Sequence, residues 1–519
     1  MQKILLLTLL LCSSHLYAQN YYVCDTGDDN NAGTSIAAPF KTASRALGVF
    51  NSMNGGDSVL FCKGGKFPAP NRNTLFNQKC SASSVCTLGA YGQGNKPEIF
   101  STGQTAALYF TDSGDPSPSK GYVVKDLALV SDNTTMFGIE LFNDVDDVTI
   151  ENVRIEGFGI GVYSAGANAV TSSTVNGTND RLVLRDSTII NNYGQGWLGG
   201  GVGVLIENNI FENNGFEKAV FNHNIYLSGH ENNPSSDIIV RGNTLYKSAF
   251  INGSCQGVSL VGHGLISNLL IEDNLIKEDE GTAGFGCWGI AIDPGYSMQE
   301  AFTGLTIRNN RVENVGGLAI GCASCVDVVV EGNTILDPSG SIRSGVAIPD
   351  RAEDSLLSDN VVIKNNTMLL GRVDATGVRA SGANLFTVIN NSIDQVSNST
   401  EPCIDGWAGN ANLDTSTNIC TKNGVLPTPV DEPVDEPVDE PVDEPIDEPI
   451  DEPVGCADVS KQQLAGLLTQ LTNLMNNAGN TVSAMRSVTD LYSKDQEVLN
   501  ELAAFKMLLQ GKKLCSEAN

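Results

Sequence analysis

One short phrase repeats along most of the chain, and this repetition constrains the fold more than any other feature. Each copy begins with a hydrophobic residue, a residue of any type and a second hydrophobic residue. A polar residue, a turn that usually contains Asn, and a further hydrophobic residue follow. Two clear copies are LTIRNNRV from Leu305 to Val312 and VVIKNNTM from Val361 to Met368. The second hydrophobic residue of each copy recurs every 22 to 36 residues, at Ile150, Leu184, Ile206, Val240, Ile271, Ile307, Val330, Ile363 and Val388.

Alternation with a period of two is typical of β-strands. A unit that buries one strand face and recurs at this spacing must stack on its neighbours. A second motif falls between copies of the first, for example Gly289-Ile290-Ala291-Ile292 and Gly345-Val346-Ala347-Ile348. We therefore predict an all-β chain with two strands per coil, folded as a right-handed parallel β-helix over residues 19–425.

The turn of the phrase carries a column of asparagines that would superpose on successive coils, about 4.8 Å apart if the strands pair in register. Asparagine tolerates left-handed backbone angles, and stacked amides can exchange hydrogen bonds. The column contains Asn209, Asn243, Asn274, Asn310, Asn333, Asn366 and Asn391. We predict a structural ladder here and assign it no chemistry.

The remaining segments differ in composition from the repeats. Residues 1–18 have the Lys, apolar and small-residue pattern of a secretory signal. Asp-Glu-Pro repeats in residues 426–454 predict an extended acidic linker, because proline blocks regular structure and the carboxylates repel one another. Leucines at helical spacing predict an α-helical module over residues 455–519, either a structural core or a device for surface attachment or oligomerisation.

The cysteine content indicates export. Removal of the signal leaves twelve of the 13 cysteines, and an even number in an exported chain favours disulfides over metal ligation. Proximity predicts the pairs Cys80–Cys86, Cys403–Cys420 and Cys456–Cys515. For Cys322 and Cys325 we expect a structural bridge rather than a redox motif. The protein is expected to be secreted or held at the cell surface.

The formal net charge of −29 limits the partners of the chain. Nucleic acid and anionic membranes are poor partners for so acidic a protein, and no segment after the signal is long and apolar enough to span a bilayer. An anionic glycan is not excluded, since a locally basic groove can exist on an acidic protein.

The N-terminal sequence carries a family resemblance. Tyr21-Tyr22-Val23, Gly27-Asp28-Asp29, Ala38-Pro39-Phe40 and an amphipathic stretch from Ala43 to Phe50 resemble the start of secreted bacterial β-helix proteins of the pectate-lyase-like superfamily. In that superfamily a short helix caps the open end of the stack, and an uncovered first coil would expose a sheet edge. Many members cleave acidic polysaccharides and others only bind them, so the resemblance specifies the fold better than the reaction.

The histidines of the mature chain are clustered in sequence at His223, His230 and His263. Aligning the two Gly-His turns predicts that His230 and His263 stack on adjacent coils, where mutual repulsion would lower at least one pKa. Tyr226 is expected on the outward face of the same strand. Such a cluster suits general acid or base chemistry.

Elimination on a uronate needs a cation for the carboxylate, a base, and an acid for the departing oxygen. Arg241 or Lys218 is predicted as the cation, His230 or His263 as the base and Tyr226 as the acid. His223, Lys247 and Asp293 complete the candidate set as substrate contacts. The leading hypothesis is a lyase that acts on an acidic polysaccharide. The alternatives are hydrogen-bonding surface histidines, ligand contact without catalysis, and a carbohydrate-binding or adhesive protein.

Two further readings stay open. Gly262-His263-Gly264 resembles the motif of polygalacturonase-type hydrolases, but the other motifs of those enzymes do not match; hydrolysis by Asp293 with Glu300 or Asp237 is a separate possibility. Asp144, Asp146 and Asp147 have oxygen ligands of the kind that Ca²⁺ prefers, although acidic turns without ions are common. No histidine metal site is expected, because no third ligand lies at suitable spacing.

Overall fold

The computed structural model describes residues 18–69, 74–112, 119–166, 178–230, 233–294, 300–349, 356–380, 385–406 and 417–423. Their strands form three long parallel sheets, which the chain visits in the order sheet 1, sheet 2, sheet 3 in each coil. The right-handed parallel β-helix predicted from the repeats is thus confirmed. The predicted signal, acidic linker and helical module lie outside the described residues.

Sheet 1 contains Asn20–Val23, Ser58–Cys62, Cys86–Tyr91, Ser119–Lys125, Asp146–Glu151, Val183–Arg185, Leu205–Glu207, Ser235–Arg241, Ile266–Glu272, Phe302–Arg308, Cys325–Glu331, Asp359–Lys364 and Phe386–Ile389. Sheet 2 contains Lys66–Pro68, Glu98–Ser101, Ala128–Ser131, Arg154–Glu156, Thr188–Ile190, Ile210–Glu212, Thr244–Tyr246, Leu275–Lys277, Arg311–Glu313, Thr334–Asp337, Thr367–Leu370, Ser392–Gln395 and Ile419–Thr421. Sheet 3 contains Thr74–Leu75, Ala106–Thr111, Phe137–Phe142, Ile160–Gly166, Gln195–Gly199, Ile225–Gly229, Leu260–Gly264, Ile290–Ile292, Gly317–Cys322, Ile342–Ile348, Thr376–Ala380 and Ile404–Gly406. A small antiparallel pair joins Phe250–Ile251 to Ser254–Cys255.

The hydrophobic positions that mark the repeat form one continuous column in sheet 1. Ile150 pairs with Leu184, and the pairing continues coil by coil to Ile363 and Val388. Every side chain in this column is at most 2% exposed. Burial of this column against the other sheets explains why the phrase repeats.

The structure corrects the number of strands per coil from two to three. The last hydrophobic residue of the phrase, Val312 in one copy, belongs to a separate strand of sheet 2. The turn at Asn309 and Asn310 bends the chain between the two sheets, so one sequence phrase contributes to both. The second motif supplies strands of sheet 3, as its alternation indicates.

The asparagine ladder is present. The side-chain amide of Asn274 donates to Asn310 Oδ1 at 2.9 Å, and Asn310 donates in the same way to Asn333 at 3.0 Å. The left-handed angle falls on the residue before the ladder position, such as Asn309 with φ of 55°. The prediction therefore placed the left-handed conformation one residue too late.

A helix from Ala43 to Phe50, termed α1, coincides with the amphipathic stretch in the sequence. Thr42 caps its first turn by accepting a hydrogen bond from the backbone N–H of Arg45, at 3.1 Å. Phe50 packs against Phe110 and Tyr122, with ring centroids 6.3 and 5.5 Å away. That α1 caps the stack remains a prediction.

Five disulfides link the described residues: Cys24–Cys62, Cys80–Cys86, Cys255–Cys287, Cys322–Cys325 and Cys403–Cys420. The pairs predicted at Cys80–Cys86 and Cys403–Cys420 are confirmed, while Cys456 and Cys515 lie outside the described part of the chain. Disulfides of this number are expected of a protein that folds in an oxidising compartment. Within the described ranges, no helix has the length and apolar character needed to cross a membrane.

Candidate functional site

Strand pairing in sheet 3 separates the two histidines that the sequence placed together. Ser228 pairs with His263, whereas His230 lies beyond the end of its strand. His230 is exposed, and its backbone N–H donates to the carbonyl of Asn233 at 3.0 Å. The predicted stack of His230 on His263 is wrong by two residues.

Buried side chains explain this shift in register. Ile225 pairs with Leu260, and both side chains are fully buried in the core. The prediction aligned Ile225 with Val258, but Val258 belongs to a separate apolar cluster with Tyr226. Since a strand's register follows the side chains that it buries, the core pairing takes precedence over the two similar Gly-His turns.

The aromatic ring of Tyr226 lies between two of the histidines. Its centroid is 5.6 Å from that of His223 and 5.4 Å from that of His263. Tyr226 packs outside the main core, as predicted, but neighbouring apolar side chains leave it only 8% exposed. The structure thus brings together Tyr226, His223 and His263, and not His230 with His263.

Burial keeps His223 uncharged. Its Nδ1 lies 3.1 Å from the carbonyl oxygen of Val258, and its side chain is enclosed. Burial lowers the pKa of His223 to about 3, with a smaller contribution from His263. The low histidine pKa that was expected from like-charge repulsion therefore occurs at a different residue, and desolvation is its main cause.

His263 contacts the backbone of Asp293 and the carboxylate of Glu300. Its Nδ1 lies 2.5 Å from the backbone carbonyl oxygen of Asp293 and 3.7 Å from Glu300 Oε2. Glu300 is completely buried and accepts a hydrogen bond from the backbone N–H of Gly264, at 2.9 Å. Because a carbonyl oxygen can only accept, Nδ1 of His263 carries the proton and Nε2 is the basic nitrogen.

A cavity of about 240 Å³ opens on the outer face of sheet 3 beside this group. Its wall combines aromatic and aliphatic side chains with a carboxylate and two guanidinium groups. The lining residues are Phe285, Trp288, Ala291, Asp293, Gly317, Leu318, Gly321, Cys322, Arg343, Ser344, Ala347, Pro349 and Arg379. Concave sites with an apolar wall and a few polar groups are typical of small-molecule and sugar sites.

The three predicted cations do not line this cavity. Arg241 lies on sheet 1, where its Nη2 is 2.8 Å from Glu207 Oε2. Lys218 is exposed, with its Nζ 4.0 Å above the ring of Phe221. Lys247 follows a strand of sheet 2 and packs over the ring of Tyr246 at 4.6 Å.

Sequence reasoning missed the cavity's own cations and its aromatic wall. Arg379 is the third residue of one copy of the second motif, Gly377-Val378-Arg379-Ala380, and occupies an outward position. Strand-by-strand pairing places it in the same row of sheet 3 as Tyr226. This copy of the motif carries a cation at its third position, and that was the available signal. Trp288 and Arg343 carried no comparable pattern.

The acidic turn that was considered for Ca²⁺ holds an arginine. Arg181 Nε lies 2.6 Å from Asp147 Oδ1, and Arg181 Nη2 lies 2.9 Å from Asp146 Oδ2. Burial raises the pKa of Asp146 to about 6. These carboxylates thus have a partner that needs no metal. Two other described clusters have metal-ligand geometry, Cys24–Asp25–Cys62 and Cys255–Glu278–Cys287, and in both the cysteines are joined as disulfides.

Comparison with known proteins gives distant similarities. No family model matches the chain. A lacto-N-biosidase of Bifidobacterium longum subsp. longum is 26% identical over 348 residues, which cover 60% of this chain and 19% of that protein, so the chain spans about a fifth of the length of this curated relative.

Two solved structures are similar at low identity. The GH136 lacto-N-biosidase from Eubacterium ramulus is 15% identical with a TM-score of 0.49, covering 78% of this chain and 68% of that one. The A-module of the mannuronan C-5 epimerase AlgE6 from Azotobacter vinelandii is 16% identical with a TM-score of 0.44, covering 72% and 93%.

Proposed function

We propose that this protein is an exported glycan-cleaving enzyme whose reaction takes place at His263, Asp293 and Glu300. The observation that carries the proposal is that His263 contacts the backbone of Asp293 and the buried Glu300, while Asp293 and Trp288 line the adjoining cavity. Aromatic walls with few polar groups suit the apolar faces of sugar rings. The name of the curated relative, a lacto-N-biosidase, favours glycan as the substrate class.

Hydrolysis is the reaction that this group supports best. Glycoside hydrolysis requires one carboxylate to attack the sugar or activate water, and one acid to protonate the leaving oxygen. Asp293 lines the cavity and is assigned the first role. His263, whose Nδ1 lies 3.7 Å from the buried carboxylate of Glu300, is assigned the second role.

Elimination on a uronate is the second candidate. It is favoured by the contact of Tyr226 with His263. His263 Nε2 would remove the proton and Tyr226 would protonate the departing oxygen. The strands of Arg343 and Arg379 lie three and four coils from that of His263, about 14 and 19 Å at the usual strand spacing, so these arginines would contact a carboxylate on a neighbouring sugar ring. A non-catalytic carbohydrate-binding protein is the outcome if neither reaction occurs.

Product analysis distinguishes these functions. The full-length protein is incubated with alginate, pectate, glycosaminoglycans and oligosaccharides ending in lacto-N-biose, and both reducing ends and absorbance from new C=C bonds are followed. New reducing ends without C=C absorbance are expected for hydrolysis. Absorbance indicates elimination, retention of a glycan without products indicates a binder, and neither products nor binding contradicts the proposal.

Substitutions test the assigned residues. Asp293→Asn and His263→Ala should each lower turnover about a hundredfold or more, the usual effect of losing an acid or base group. The matched control is Glu313→Gln, which removes a carboxylate from the outer face of sheet 2 and should leave turnover unchanged.

Tyr226→Phe separates the two reactions, because only elimination needs its hydroxyl. Full turnover in both Asp293→Asn and His263→Ala, with unchanged circular dichroism, would place the reaction elsewhere.

A further inference from the structure

Two arginines from adjacent strands of sheet 3 face the same cavity. Arg343 lies on Ile342–Ile348 and Arg379 on Thr376–Ala380, and Ala347 of the first strand pairs with Arg379 of the second. Both line the cavity that Asp293 borders. In a chain with a net charge of −29, two guanidinium groups on one concave wall form a local positive region.

The carboxylates near these arginines bind them only loosely. Arg379 Nε is buried, has no hydrogen-bond partner within the described residues, and lies 3.6 Å from Asp405 Oδ2. Arg379 also donates from Nη2 to Thr376 Oγ1, at 3.3 Å. A guanidinium has five N–H donors, so this arginine retains donors for a ligand.

Arg343 is held still less firmly. Its Nη2 lies 3.4 Å from Asp374 Oδ2, and Arg372 contacts the same carboxylate more closely, with Nε 2.5 Å from Oδ1. Arg372 is the main cause of the lowered pKa of Asp374. Among the described residues, three arginines therefore contact two carboxylates, Asp374 and Asp405, on this side of the cavity.

The wall between the arginines and Asp293 is apolar. Phe285 is 70% exposed, and its carbonyl accepts a hydrogen bond of 2.8 Å from Trp288 Nε1, which fixes the indole. Leu318 and Ala347 complete this surface. An aromatic wall binds the C–H face of a sugar ring, and a guanidinium binds a carboxylate or sulfate through paired hydrogen bonds.

From these contacts we infer that the cavity is a subsite for a sugar ring that carries an anionic substituent, bound by Arg343 and Arg379 while the ring packs on Phe285 and Trp288. A carboxylate and a sulfate share the chemistry that this subsite recognises. The inference rests on the proposed function for the ligand being a glycan, and it adds the substituent that the site selects.

Equilibrium binding tests this subsite without requiring turnover. The full-length protein is titrated, with calorimetric detection, with matched pairs of ligands: trimannuronate and mannotriose, trigalacturonate and galactotriose, and a chondroitin disaccharide with and without sulfate. At least one anionic member should bind tenfold or more tightly than its neutral or unsulfated partner. Comparing uronates with the sulfated disaccharide identifies which anion is preferred.

Arginine variants assign the preference. Arg379→Gln and Arg343→Gln should each weaken binding of the preferred anionic ligand about tenfold, as expected for a lost hydrogen bond to a charged group, and affect its partner less than twofold. Arg311→Gln, which removes the same charge from sheet 2, should change neither. Arg343 is about half exposed, so its variant serves if Arg379→Gln fails to fold.

The outcomes separate the two proposals. Equal binding of anionic and neutral ligands, absence of binding by every ligand, or an anion preference that survives both arginine variants overturns the subsite. Absence of turnover on every glycan, with arginine-dependent anion binding intact, contradicts the proposed reaction and leaves the subsite standing.

Discussion

At the scale of single residues, burial sets the charge of two groups, His223 and Glu278. His223 is enclosed, and its pKa falls to about 3. Glu278 is buried within 4.8 Å of the sulfurs of the Cys255–Cys287 disulfide, and burial raises its pKa to about 8. The backbone N–H of Ser248 donates to one oxygen of Glu278, and the other lacks a partner within the described residues. Both groups are therefore neutral near pH 6.5.

These two shifts predict opposite dependences of stability on pH. Folded His223 resists protonation, so its stabilising contribution is lost as the pH falls from 6.5 towards 3. Folded Glu278 retains a proton that the unfolded chain releases, so stability is lost as the pH rises from 4.5 to about 8. Of these two groups, only Glu278 makes the stability depend on pH between pH 6.5 and 8.

We expect Glu278→Gln to remove this decline. The melting temperature of the native protein should fall between pH 6.5 and 8, while that of the variant should stay level and exceed the native value at pH 8, measured by differential scanning calorimetry. Glu313→Gln, at a partly exposed carboxylate of sheet 2, should keep the native slope. An unchanged slope in Glu278→Gln would show that this group is ionised in the folded protein.

At the scale of elements, the asparagine ladder holds the turn between sheets 1 and 2 in every coil that contains it. Asn310 accepts from the backbone N–H and the side-chain amide of Asn274, at 3.1 and 2.9 Å, and donates to the carbonyl of Ile271 at 2.9 Å. Its side chain is only 1% exposed. Loss of one asparagine leaves several buried polar groups without hydrogen-bond partners, because so enclosed a position does not admit water to replace the lost side chain.

Asn310→Ala should therefore lower the free energy of unfolding by about 2 to 4 kcal/mol, since each buried unsatisfied group costs roughly 1 to 3 kcal/mol. Guanidinium denaturation followed by circular dichroism measures this change. Thr303→Ala, at an exposed position in the adjoining strand, should alter stability by no more than about 0.5 kcal/mol. Equal effects of the two substitutions would mean that the ladder is not stabilising.

At the scale of the whole molecule, the β-helix is a stack in which each coil contacts its immediate neighbours. The described strands pair across successive coils from Asn20–Val23 to Phe386–Ile389 in sheet 1, and the last strand of sheet 2 is Ile419–Thr421. Every described residue belongs to the compact unit Met1–Val430. Residues after Val425 are therefore expected to be dispensable for the folding of the stack.

A chain truncated after Val425 should unfold cooperatively with a melting temperature close to that of the full protein, and it should retain glycan turnover. Scanning calorimetry and the product assay described above measure both properties. A drop of more than about 5 °C, or the loss of soluble protein, would show that the C-terminal residues stabilise the stack. Loss of turnover alone would assign them a role in substrate binding.

The sequence by itself determined the stacked strands, the buried column and the asparagine ladder, because each depends on a period that neighbouring residues record. It also determined three of the disulfides, Cys80–Cys86, Cys322–Cys325 and Cys403–Cys420, because their cysteines lie close together along the chain. Only the tertiary structure decided which residues of adjacent coils pair with one another. Loops of unequal length join the coils, so the register of sheet 3 follows the burial of Ile225 against Leu260 rather than any local motif. That register joins His263 to Asp293 and Glu300, brings Arg343 and Arg379 to the same cavity, and leaves Arg241 on another sheet.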